Sequence, residues 1–163
     1  MTRCIPLIIL IVSIYFGIPG IRLSADIQEN IDAADRVDFA TAIKEWIVLA
    51  KQGDVVAQFN LGLTFQEGRI VPQDYKTAKE WYVLAAEQGN ADAHFNLGVM
   101  YYNGQGVLVD DLRAYVWFDL SASAGNYAAI INRERVAKLM TPSQIDQAKK
   151  LAKECLANRY KGC

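Results

Sequence analysis

The chain has 163 residues, 52% hydrophobic and 21% charged, with 17 basic residues against 18 acidic and a formal net charge of −1. That balance, with no basic cluster, excludes a protein that binds nucleic acid by neutralising phosphates. One histidine and three cysteines leave little material for a metal centre or for acid–base chemistry.

Residues 1–25, MTRCIPLIILIVSIYFGIPGIRLSA, have the layout of a secretory signal peptide. Arg3 supplies the basic start, an apolar run extends from Cys4 to Ile18, and the small residues Ser24 and Ala25 precede the expected cleavage point. The run of 15 residues is short of the roughly 18–20 that span a bilayer. Export without stable membrane insertion after cleavage is therefore expected, a retained leader acting as an anchor being the other reading. No cysteine follows the run where a lipoprotein signal would need one, since Cys4 lies before it. Cleavage removes Arg3 and Arg22, so the basic residues fall from 17 to 15 against 18 acidic and the charge becomes −3. The remaining residues suffice for one ordinary domain.

Residues 26–52 read as a partial unit. The stretch DFATAIKEWIVLAKQGD places Ala42, Trp46, Leu49 and Gly53 at the spacing of a helix and its stop. Residues 53–88 and 89–124 then say nearly the same thing twice, with 13 of 36 aligned positions identical, where unrelated segments would share roughly two. The pairs include Gly53/Gly89, Ala57/Ala93, Phe59/Phe95, Asn60/Asn96, Leu61/Leu97, Gly62/Gly98, Asp74/Asp110 and Trp81/Trp117. A period of 36 is the signature of a stacked repeat.

Each unit reads as two helices. Ala57, Leu61 and Phe65 form one stripe of the first, and the small residues Ala57 and Gly62 let a neighbouring helix come close. EGRIVPQD and NGQGVLVD break the pattern with glycine and, in the first copy, Pro72. Asp74 and Asp110 stand where an N-cap belongs. Ala78, Trp81 and Ala85 make the buried stripe of the second helix, and Gly89 and Gly125 follow where a left-handed residue ends it. Residues 125–163 open a third copy and close with MTPSQIDQAKKLAKECL. There Thr141 is the expected N-cap, Pro142 the first helical residue and Gln144 the capping-box partner. Ile145, Ala148, Leu151, Ala152 and Cys155 form the apolar face, backed by lysines, as the end of a solenoid needs. Cys155 and Cys163 allow either a small terminal disulfide or two unpaired thiols.

The recurring pattern A-x3-L-G-x2-[YF]-x2-G-x-[GI]-V-x2-D-x3-A-x2-W-x4-A-x2-G resembles the Sel-one-like repeat (SLR) family, a relative of the tetratricopeptide repeat, over roughly residues 36–158. Ile70 departs from it, standing where the later copy has Gly106, so the first loop is expected to run differently. The resemblance implies an all-α, tetratricopeptide-like α–α superhelix of about eight helices, with the first helix of each pair lining a concave face. On that face it places Val56, Phe59, Leu63 and Gln66, then Asp92, Phe95, Val99 and Tyr102, with Asn60 and Asn96 beside them to hold a peptide backbone. Phe59 and Phe95 are then either anchors for a partner or fillers between units. No Lys or Arg falls at these positions, which argues against a carboxylate clamp.

His94, the sole histidine, matches Gln58 and is expected on a solvated helix face. No carboxylate pair, nucleophile or phosphate-cradling loop stands out. The expected function is an exported, non-enzymatic scaffold without cofactor or metal, binding a protein or peptide, periplasmic or secreted, of bacterial origin by resemblance. The alternative is a cell-wall binding or hydrolytic protein. Partner-specific information is expected where the copies differ, at Gln58/His94, Thr64/Met100 and Gln66/Tyr102.

Overall fold

The computed structural model describes residues 39–163, nearly all within the second of two compact units, residues 41–163. The leader expected at 1–25, with its cleavage point, and the start of the N-terminal partial repeat lie outside the described residues. Among the described residues there are seven helices and no strand: α1 (39–51), α2 (Val55–Glu67), α3 (Tyr75–Ala86), α4 (Ala91–Asn103), α5 (Asp111–Ser123), α6 (Tyr127–Ala137) and α7 (Pro142–Ala157). None of them is long and apolar enough to cross a membrane.

The period of 36 is written into the chain by a two-residue step. Gly53, Gly89 and Gly125 have φ of 96°, 84° and 93°, values open to glycine and strained for other residues. Each is followed by an N-cap. Asp54 accepts from Ala57 N–H at 2.7 Å, Asn90 from Ala93 N–H at 2.8 Å and Asn126 from Ala129 N–H at 3.0 Å. One residue reverses the chain and the next starts a helix.

The caps expected inside the units are also present. Asp74 accepts from the backbone of Lys76 and Thr77, and Asp110 from that of Arg113. The Thr77 hydroxyl and then its N–H hold the Asp74 carboxyl below the usual carboxylate range. Thr141 and Gln144 form a reciprocal capping box at the start of α7, with Pro142 in the first turn. Ile70 is not left-handed, whereas Gly106 has φ of 67°, so the two loops do differ.

Packing follows the pairs, α2 on α3 and α4 on α5, with α3 on α4 joining the units and α5 also carrying α6 and α7. The main core runs through α3–α7 and includes Tyr82, Leu97, Met100, Phe118 and Leu120. A smaller one joins Ile43 and Ala50 of α1 to Ala57 and Leu61 of α2, with Trp46 and Trp81 against it.

Gly62 and Gly98 explain how each pair closes. A Cβ at Gly62 would lie 2.4 Å from the ring of Tyr82, and one at Gly98 would lie 2.6 Å from that of Phe118. The aromatic ring of the second helix sits in the gap left by the glycine of the first. This corrects the expected stripe of α3: Tyr82 is fully buried beside Ala78 and Ala85, while Trp81, the residue expected there, is half-buried. Ala148, Ala152 and Cys155 of α7 are buried as expected, and the lysines of its other side are exposed. Beyond α7, Cys155 and Cys163 are joined in a disulfide, their Cα atoms 5.6 Å apart.

Candidate functional site

Of the ten residues expected on or beside the partner-binding face, Phe59, Asn60, Leu63, Gln66, Phe95, Asn96, Val99 and Tyr102 are half-buried. Phe59 packs with its ring centroid 5.8 Å from Tyr82, and Phe95 with its centroid 5.7 Å from Phe118. Leu63, Val99 and Tyr102 rest against the same core. Each phenylalanine thus covers the ring that fills the glycine gap of its own pair, with part of its surface still open. Next to them, Val56 is 63% exposed, and Asp92 is exposed with its carboxylate accepting from Asn126 Nδ2 at 3.3 Å.

Two of the expected contacts have an interior duty. The Tyr82 hydroxyl donates to Gln66 Oε1 at 2.5 Å, and Asn96 bonds the same hydroxyl from α4. Burial pushes the pKa of that phenol well above its ordinary value, the Asn96 bond opposing the rise. A buried hydroxyl needs such partners. In the next unit the ring is Phe118, which has no hydroxyl, and Tyr102 stands where Gln66 did. Gln66 thus serves the Tyr82 hydroxyl, a partner that Phe118 does not need. Tyr82→Phe is expected to destabilise the fold by about 0.5–1.5 kcal/mol, measured by urea unfolding. Gln66→Ala in the Tyr82→Phe background should then have a smaller effect than in the wild type.

The expectation for His94 is overturned. The residue is 1% exposed, and its counterpart Gln58 is 4% exposed. Both face the seam between consecutive units and do the same work. Gln58 Nε2 donates to the Ala50 carbonyl at 3.1 Å, and His94 Nε2 lies 3.0 Å from the Ala86 carbonyl. A carbonyl only accepts, so Nε2 carries the ring proton. Each bond adds a second donor to a carbonyl near the end of the preceding helix, which already accepts from Gly53 or Gly89 N–H. Gln88 Nε2 completes the first seam, donating to Gln58 Oε1 at 2.8 Å and the Gly53 carbonyl at 3.0 Å.

In the second seam the His94 ring stacks 5.6 Å from Trp117 and lies 4.8 Å from Tyr160. Desolvation lowers the His94 pKa below 6.5, the Ala86 bond opposing it. In the third differing pair Met100 is fully buried, while Thr64 is half-buried with its hydroxyl donating to the Asn60 carbonyl at 2.8 Å. Of the three pairs, Gln58/His94 lies at the seams between units. Neither Tyr82 nor Tyr160 was expected from the sequence. The aromatic 20 positions after each Leu-Gly glycine was the available signal for Tyr82 and Phe118; Tyr160, in a non-repeating tail, had none.

A cavity of about 480 Å3 lies between the start of α5, the end of α7 and the tail, with Arg113, Trp117, Leu151, Glu154, Lys161 and Cys163 among its walls. Among the described residues no group of three His, Cys, Asp or Glu is placed to hold a metal ion.

Residues 55–90 and 91–126 each match the Sel1 repeat family model. No curated protein matches the chain. Among solved structures, the chain resembles a protective antigen of uropathogenic Escherichia coli displaying an SLR fold, with 34% identity and a TM-score of 0.70 over 72% of this chain and 26% of that one. It also resembles a Sel1 repeat protein from Oxalobacter formigenes, with 31% identity and a TM-score of 0.54 over 56% of this chain and 37% of that one. The chain thus spans about a quarter to a third of the length of these relatives. Its two matched repeats, and the fold it shares with these structures, make this chain a Sel1-like repeat protein.

Proposed function

We propose that the protein is exported and serves as a non-enzymatic scaffold, holding a protein or peptide segment along the open side of α2 and α4. Sel1 repeat proteins are generally protein-interaction scaffolds. The single observation that carries the finer reading is the half-open apolar strip there: Val56 is 63% exposed, and Phe59, Leu63, Phe95 and Val99 keep part of their surface free. A strip of that kind suits a segment with apolar side chains. Asn60 lies alongside to meet the backbone, whereas Gln66 and Asn96 are held by Tyr82.

Photo-crosslinking in the native host tests the surface. A crosslinking residue at Val56 or Val99 should capture a discrete protein band that the same residue at Glu80, exposed on α3, does not capture. Bands from Glu80 alone would move the interface to the second helices. No bands at either would remove the scaffold reading. N-terminal sequencing of the exported protein checks cleavage after Ala25.

A further inference from the structure

The residues after α7 fold back onto the repeats. Arg159 and Tyr160 have φ of 52° and 64°, left-handed values that residues with side chains keep only when their surroundings hold them. Two attachments do so. Tyr160 N–H donates to the Cys155 carbonyl at 2.7 Å, and the Cys155–Cys163 disulfide closes the loop from its far end. This turn seats the Tyr160 ring at the second seam, 4.8 Å from the His94 ring. It also rests on Gly89, where an added Cβ would meet Tyr160 Cε2 at 3.1 Å.

The two seams are finished in different ways. In the first, Gln88 reaches the side chain of Gln58. In the second, the position matching Gln88 is Ala124, which has nothing to offer His94. His94 Nδ1, a bare lone pair because Nε2 carries the proton, is buried with no hydrogen-bond partner among the described residues. The Tyr160 ring lies over this imidazole. Lys161, Gly162 and Cys163 of the same loop also form a wall of the cavity beside Trp117.

We propose that the disulfide-closed loop is a redox-sensitive strap, holding Tyr160 over His94 while Cys155 and Cys163 are bonded and releasing it on reduction. The reductant is a dithiol. Its thiolate attacks one sulfur, the Cys155–Cys163 bond breaks, each cysteine sulfur ends as a thiol, and the dithiol leaves as its own disulfide. Afterwards the hydrogen bonds from Arg159, Tyr160 and Lys161 N–H to the Leu156, Cys155 and Asn158 carbonyls and the packing of the ring remain against two left-handed residues. Release bares His94 and takes one wall from the cavity.

The full chain contains a single histidine, so the ultraviolet difference absorbance of N-carbethoxyhistidine, formed by diethyl pyrocarbonate added after any reductant is removed, reports on this ring alone. Protein whose Cys155–Cys163 bond is verified by peptide mass mapping should react slowly. Dithiothreitol should raise the rate by at least about tenfold, as expected for local opening, with the far-ultraviolet circular dichroism unchanged. Cys163→Ser should react at the reduced rate without reductant and be unaffected by it, which separates this bond from any involving Cys4. Tyr160→Ala should react fast with the bond intact. Equal rates before and after verified reduction, a slow Tyr160→Ala, no Cys155–Cys163 bond in air-oxidised protein, or a rate increase accompanied by loss of helicity would each overturn the proposal.

Discussion

Gly98→Ala should lower stability by about 1–3 kcal/mol, although alanine is the better helix former by about 1 kcal/mol. The added Cβ would stand 2.6 Å from the Phe118 ring, and Phe118 is 1% exposed, so the ring has nowhere to retreat. Phe118→Ala alone should cost about 3–5 kcal/mol, from lost burial and the cavity left behind. Together the two should not add. With the ring gone, the new methyl occupies part of the space, and Gly98→Ala in the Phe118→Ala background should be neutral or stabilising. Urea unfolding of the four proteins measures the cycle. Additive losses would mean that the glycine is required for some reason other than this ring.

The second prediction concerns pH. Burial lowers the His94 pKa below its ordinary 6.5, so the folded protein keeps the imidazole neutral where the unfolded chain takes up a proton. Between the folded pKa and 6.5 the unfolded state binds more protons, so stability rises with pH there. The contribution of neutral His94 is complete above 6.5, falls as pH drops through that window, and levels off below the folded pKa. The rings facing His94, those of Trp117 and Tyr160, are not carboxylates that could pair with an imidazolium. His94→Gln should keep the bond to Ala86, as Gln58 does to Ala50, while removing this part of the pH dependence. His94→Ala should instead cost about 1–3 kcal/mol, through the lost hydrogen bond and the void left beside Trp117 and Tyr160, since Gly89 N–H still bonds the Ala86 carbonyl. Urea midpoints from about pH 8 to about pH 5 check the sign. Equal slopes for wild type and His94→Gln would mean that His94 is protonated alike in both states.

The caps show why much of the architecture was legible beforehand. A glycine that must be left-handed, followed at once by Asp or Asn, is a local instruction. Its recurrence at Gly53, Gly89 and Gly125 sets helix starts without reference to anything distant. The same holds for Asp74, Asp110 and the Thr141–Gln144 box, where donor and acceptor are within a few residues. Periodicity of small and apolar residues then identified the helices that stack.

The site was less legible, and for one reason throughout. Gln58 and His94 are polar side chains on short-period helices, and a polar residue on a helix ordinarily points to water. Their burial depends on carbonyls at Ala50 and Ala86, contributed by the preceding unit across a seam. Gln66 and Asn96 look free until Tyr82 brings its hydroxyl between them. The difference between the copies at Gln58 and His94 resembled variation on a binding surface, but both side chains lie inside a seam.

The sequence by itself therefore determined the repeat, its period, the helix ends and the all-α stacked class, because each rests on backbone preference and spacing along one stretch of chain. Only the tertiary structure decided that Tyr82 and Phe118 fill the glycine gaps, that His94 closes a seam, and that Tyr160 lies over it. Those assignments depend on which polar atoms and which rings meet across tens of residues, and a side chain's environment is set by its partners in space.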